Sequence, residues 1–166
     1  YMPLKGVILK DFYPAVGMRQ MSDNDILFDR SFQNQLETYM KTHGYTVEND
    51  GNHRICNKEP IYNFELHTSL YGSNHRKSLY TYYQNVKERL IPDAAGSYGC
   101  HFTDEDFYIY ILSHAYKHYM ESGIGLRCLL DFYVYLRRKE AVLDFNYIQK
   151  ECKKLEIEDF ERANRQ

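Results

Sequence analysis

The chain has 166 residues, enough for one domain or for a domain with a small second lobe. Lys plus Arg number 21 against 23 Asp plus Glu, and this formal charge of −2 argues against a nucleic-acid coat or a polybasic membrane binder. Apolar residues at 43% exclude a disordered chain, and no uncharged stretch exceeds ten residues, too few to span a bilayer.

In chain order, Met2 to Lys5 reads as a short apolar strand ending at Gly6. Val7 to Tyr13 follows as a helix stopped by Pro14. Asp23 to Phe28 is a second strand, and Ser31 to His43 has helical spacing through Phe32, Leu36, Tyr39 and Met40, with Gly44 as its stop. Tyr45 to Glu48 and His53 to Cys56 flank Asn49-Asp50-Gly51-Asn52, a hairpin signal. Ile61 to Leu70 is a further strand. Beyond Gly72-Ser73-Asn74 the composition changes, and long periodic segments replace short runs broken by Gly, Asp, Asn and Pro. Ser78 to Leu90 reads as a helix ended by Pro92. Thr103 caps a helix reaching Glu121, Leu126 to Lys139 forms the next, and Phe145 to Leu155 the last. The expected organisation is therefore α+β, with a small mixed sheet and flanking helices in 1–72 and a helical lobe in 73–166.

The 17 Tyr and 9 Phe, with no Trp, imply many half-buried rings whose hydroxyls need partners. Cys56, Cys100, Cys128 and Cys152 are spaced too widely for a metal clamp and read as reduced, mostly buried thiols of a cytoplasmic protein. The chain opens at Tyr1-Met2-Pro3-Leu4, inside what reads as a structural element and without a basic-then-apolar leader, so upstream residues are expected.

The chemistry concentrates in Asp23-Asn24-Asp25. Strand side chains alternate, so Asp23 and Asp25 share a face, where two carboxylates repel unless a cation lies between them. Oxygen-only donors suit a hard ion such as Mg²⁺. Taken alone, the pair also describes a polar strand edge with two solvated acids. In the next strand Glu65 and His67 share a face, opposite Tyr62, Phe64 and Leu66, as in a strand lining a polar cleft. Leu4-Lys5-Gly6 before a helix offers close backbone approach to an anion, with Lys5 or Arg19 as counter-charge. His114 and His118, four apart on one helical face, could ligate zinc or pair with Asp131 or tyrosine hydroxyls; the latter is the simpler reading.

Leu4-Lys5-Gly6, Tyr13-Pro14, Arg19 and Ser22-Asp23-Asn24-Asp25-Ile26-Leu27 together resemble the uncharacterised nucleotidyltransferase family of the DNA polymerase β-like superfamily. Glu65-Leu66-His67, His114, Lys117-His118 and Leu130-Asp131 are similar to its downstream elements, in the same order. The resemblance implies a nucleotidyltransferase core in which Asp23, Asp25 and Glu65 hold two Mg²⁺ (or Mn²⁺) ions. Lys5, Gly6, Arg19 and Ser22 would face the nucleoside triphosphate, and His67, His114, His118 and Asp131 a cleft or acceptor. Two departures stand out: Gly6 is followed by Val7 rather than Ser, and the third acid is Glu65 rather than Asp.

The implied reaction moves a nucleoside monophosphate from a nucleoside triphosphate to an acceptor hydroxyl on a small molecule or protein, near-neutral charge arguing against a long nucleic acid. Two alternatives remain at this stage. One is a degenerate module of the same fold that binds or regulates; the other is a metal phosphohydrolase built on His114, His118 and Asp131.

Overall fold

Alternating apolar and polar residues between positions 24 and 67 build a mixed sheet whose two faces differ in chemistry. The computed structural model describes residues 1–51 and 53–165; Asn52, the last residue of the expected turn, lies outside the described residues. The chain divides into two units, Tyr1–Gly72 with Pro92–His101, and Ser73–Ile91 with the chain from Phe102 onward.

In the first unit β1 (Met2–Pro3) leads into α1 (Gly6–Leu9), which a 3₁₀ turn at Lys10–Phe12 continues. Then come β2 (Asn24–Leu27), a 3₁₀ turn at Arg30–Phe32, α2 (Gln33–Thr42), and β3 (Thr46–Asp50), β4 (His53–Lys58) and β5 (Tyr62–His67). The sheet order is β1-β2-β5-β4-β3, with β2 and β5 parallel and the other pairs antiparallel. Asp29 accepts from Ser31 N at 2.9 Å and so starts the turn before α2. Gly44, at φ 83°, ends α2 by letting the Tyr45 amide reach the Met40 carbonyl at 3.1 Å. Phe28, Met40, Cys56 and Leu66 form the core on one side of the sheet, with Ile26, Leu36 and Phe64 packed against them.

The second unit opens with α3 (Lys77–Tyr83), after which comes a 3₁₀ turn at Val86–Arg89. Next in the chain come β6 (Ile91–Pro92) and β7 (Cys100–His101), a two-stranded ribbon whose residues 92–101 belong to the first unit. The Cys100 amide donates to Tyr1 O at 2.9 Å, which ties residues 92–101 to the start of the chain. The helical remainder is α4 (Asp104–Glu121), α5 (Leu126–Lys139), α6 (Phe145–Leu155) and α7 (Glu158–Arg165). Thr103 caps α4, its hydroxyl accepting from Asp106 N at 3.1 Å. Residues 106 to 113 of α4 are all buried, so this stretch is enclosed on every side, while the helix emerges into solvent at Tyr119 and Met120.

The α+β class is as expected, with local differences. The expected helix over Ser78 to Leu90 is broken at Asn85, whose φ −108° and ψ 39° lie outside helical geometry. The strand at Met2 stops at Pro3, because Lys5 turns out of extended conformation. Neither α7 nor the β6–β7 ribbon was anticipated.

Candidate functional site

Register creates the site. β2 and β5 run parallel with Asp25 opposite Glu65 and Leu27 opposite His67. Ile26, Phe64 and Leu66 point into the α2 side of the sheet, so alternation turns Asp25, Glu65 and His67 to the other face. β4 pairs antiparallel with β5 and sets His53 opposite His67.

Asp25 is 5% exposed, and both of its oxygens are engaged. His67 Nε2 lies 2.8 Å from Oδ1 and Lys5 Nζ 3.1 Å from Oδ2. Burial disfavours the Asp25 carboxylate, but the His67 hydrogen bond and the Lys5 charge outweigh it and bring its pKa down to about 2. His67 Nε2 is also 3.6 Å from Glu65 Oε2. That contact with the imidazole lowers the Glu65 pKa, against opposition from burial and from the Asp25 charge. Burial alone would depress His67, yet its two carboxylate partners raise it. His53 stacks on His67, centroids 4.9 Å apart and planes 28° apart, with its Nε2 3.8 Å from Glu65 Oε2 and 3.3 Å from Asp50 Oδ2.

The strand-to-helix junction is built around Lys5. The Leu4 amide donates to Asp25 O at 2.9 Å, and the Ile8 and Leu9 amides donate to Lys5 O at 3.1 and 2.8 Å. Lys5 itself sits at φ 36° and ψ −100°, a conformation that costs a non-glycine residue on the order of 1–3 kcal/mol. Its ion pair with Asp25 is one of the contacts that hold it there. A Cβ on Gly6 would meet Arg19 Nη1 at 2.7 Å, so the missing side chain is what lets that guanidinium lie against the first turn.

The family model for uncharacterised nucleotidyltransferases matches residues 1–165. The chain belongs to that family. No curated protein matches it, and no solved structure does.

For a nucleotidyltransferase-family chain, the placement of the expected site residues is informative. Asp25 and Glu65 come together on one face. Asp23 stands one residue before β2, half-buried; burial and the charges of Asp25 and Glu65 raise its pKa, while Lys5 and a hydrogen bond from the exposed Ser22 work the other way. Lys5, Gly6 and Arg19 gather at the junction. His67 stands against Asp25, at 2.8 Å from its Oδ1. His114 and His118 lie on α4, in the other unit, with Nε2 atoms 3.2 Å apart, and buried Asp131 is on α5. Among the described residues, one group of three metal-capable side chains converges, and it is Asp25, Glu65 and His67 rather than His114, His118 and Asp131. His53 was missed, because its place beside His67 is set by the register of β4 on β5, which the turn between β3 and β4 does not fix.

A divalent cation fits this donor set. One ligand atom from each of Asp25, Glu65 and His67 lies within 4.8 Å of the others, and the central carboxylate ionises well below neutral pH. The four cysteines are free, Cys56 and Cys152 buried and the other two partly so. Among the described residues no helix is long and apolar enough to cross a membrane.

Proposed function

We propose that this chain transfers a nucleoside monophosphate from a nucleoside triphosphate to an acceptor hydroxyl, on a unit formed by Tyr1–Gly72 with Pro92–His101. The carrying observation is the pairing of Asp25 and Glu65 at one register position of two parallel strands, beside the Lys5-Gly6 junction. Asp23, Asp25 and Glu65 are the residues that would hold divalent cations, Mg²⁺ or Mn²⁺ in the two-ion arrangement typical of phosphoryl transfer. Such cations, when bound, screen phosphate charge and make the acceptor hydroxyl more acidic.

The chain's own residues have separable tasks. Asp25, its pKa held low by His67 and Lys5, supplies negative charge at the centre at neutral pH. Glu65, partly buried, accepts the proton of the attacking hydroxyl. Lys5 and Arg19 bring positive charge to the triphosphate, and Gly6 lets it approach the first amides of α1. Ser22 orients Asp23 through its hydroxyl. Val7 contributes no hydroxyl, so the phosphate grip rests on backbone and cations.

A second reading, a nucleotide-binding module without transfer, draws on the engagement of both Asp25 oxygens by Lys5 and His67. One experiment separates the two. Purified protein is incubated with each nucleoside triphosphate, a divalent cation and a panel of hydroxyl acceptors, and pyrophosphate is measured. Release that disappears in Asp25→Asn, with its circular dichroism unchanged, supports transfer. Tight nucleotide binding without pyrophosphate supports the module, and activity equal to the parent in Asp25→Asn overturns the site.

A further inference from the structure

We propose that His67 is itself a metal ligand, the nitrogen donor of a three-ligand position completed by Asp25 and Glu65, and that it biases this position toward a transition-metal dication over Mg²⁺. The proposal rests on the reading that these carboxylates hold a cation, and it assigns the imidazole a different task from the acceptor contact expected from sequence.

Geometry carries it. Ligand atoms bound to one ion at about 2.0–2.2 Å lie about 3–3.5 Å from each other. His67 Nε2 lies 2.8 Å from Asp25 Oδ1 and 3.6 Å from Glu65 Oε2, separations that bracket this range. The nitrogen that faces the carboxylates is thus already placed at a neighbouring vertex. The ring does not need to be searched into position: it is mostly buried and stacked on His53, which in turn reaches Glu65 and Asp50. Outer partners of this kind fix ligand orientation in metal sites.

The donor chemistry then decides selectivity. Mg²⁺ prefers oxygen and sheds water reluctantly, whereas imidazole favours the first-row transition ions. A site of two carboxylates and one imidazole gains from Mn²⁺, Co²⁺ or Zn²⁺ an interaction that Mg²⁺ makes poorly. A bare carboxylate set has no such preference built into it.

The test is calorimetric titration of the full chain with Co²⁺ and with Mg²⁺ in the absence of nucleotide, joined to the visible spectrum of the Co²⁺ form and to imidazole-nitrogen couplings of bound Mn²⁺ by electron spin echo. The expected result is Co²⁺ binding at least about tenfold tighter than Mg²⁺, with nitrogen couplings present. In His67→Gln, Co²⁺ affinity falls about tenfold or more, the couplings vanish, and Mg²⁺ affinity moves less than about threefold. Unchanged Co²⁺ affinity and spectrum in His67→Gln overturn the proposal, as does the absence of nitrogen couplings in the parent, which needs no variant to fold. If Asp25→Asn leaves all cation binding intact, the carboxylate site itself is wrong. Because no nucleotide is present, a failure of nucleotidyl transfer alone leaves this measurement standing.

Discussion

Lys5 Nζ lies 3.1 Å from Asp25 Oδ2, so the residue that leads from the first strand into α1 neutralises the acid on the second. An ammonium at that oxygen competes with a cation for the same lone pairs, and a triphosphate offers it an alternative partner. Lys5→Met is therefore expected to tighten divalent-cation binding several-fold without nucleotide and to weaken nucleotide binding about tenfold, the size of one charge-assisted hydrogen bond. Calorimetry with cation alone and with a non-hydrolysable triphosphate reads the two signs separately. Both affinities moving in one direction would show that Lys5 is not the exchanging partner.

Gly6 tests the neighbouring contact. An alanine Cβ would stand 2.7 Å from Arg19 Nη1 and 3.6 Å from Met21 Cγ. The first is the tip of a flexible side chain, so Gly6→Ala is expected to lower stability by less than about 1 kcal/mol while displacing the guanidinium from the first turn. Nucleotide affinity should drop several-fold with a near-parental melting curve. A large loss of stability with unaltered nucleotide affinity would assign Gly6 to packing.

What the sequence made legible follows from the range of the forces involved. Thr103, the apolar run of α4, the period of Leu126 to Lys139 and the run from Phe145 to Leu155 are local, and those helices begin and end where their residues say. The Asp25–Glu65 pairing was legible as two strands with acids on one face, because alternation is also local. α7 was not, since residues 158–165 carry one aromatic among charges. Its support is tertiary: Phe160 packs on Tyr116, Tyr119 and Phe132, and the Arg165 guanidinium lies over the Phe145 ring, 4.8 Å from its centroid. The β6–β7 ribbon has strands of two residues, below the length at which alternation carries a signal. His53 and His67 meet only through the register of β4 on β5, a pairing between strands that neither residue signals by itself.

The second unit holds a buried polar cluster with a pH signature. Glu151, 3% exposed, accepts from Tyr82 OH at 2.8 Å, Arg89 Nη2 at 3.0 Å and Lys154 Nζ at 2.5 Å, while Arg89 Nη1 reaches Asp106 at 3.0 Å. Burial opposes ionisation of Glu151, but the hydrogen bonds from Lys154, Tyr82 and Arg89 outweigh it and lower its pKa. A depressed folded value contributes stability that is fully present above the unfolded pKa, near 4.5, and is lost as pH falls through the folded one. Glu151→Gln should cost about 3 kcal/mol at neutral pH by leaving Arg89 without this partner. The gap between parent and variant should narrow as urea unfolding is repeated from neutral pH down to about 3. A gap that stays constant across that range would detach the cluster from the acid limb of stability.

Tyr108 offers a change in the opposite direction. It is fully buried on α4 and stacks nearly parallel to Tyr135, with centroids 6.1 Å apart and planes 7° apart. Among the described residues its hydroxyl has no hydrogen-bond partner, and burial raises its pKa. A hydroxyl that leaves water without gaining a partner costs about 1–3 kcal/mol, a penalty the phenyl ring does not carry. Tyr108→Phe keeps the ring, its stacking and its volume apart from one oxygen. The variant is expected to be about 1 kcal/mol more stable and to melt a few degrees higher, with cation binding in the first unit unchanged. Calorimetric melting of the two proteins decides it: a loss of stability of similar size would mean that the hydroxyl is satisfied, most simply by a buried water molecule.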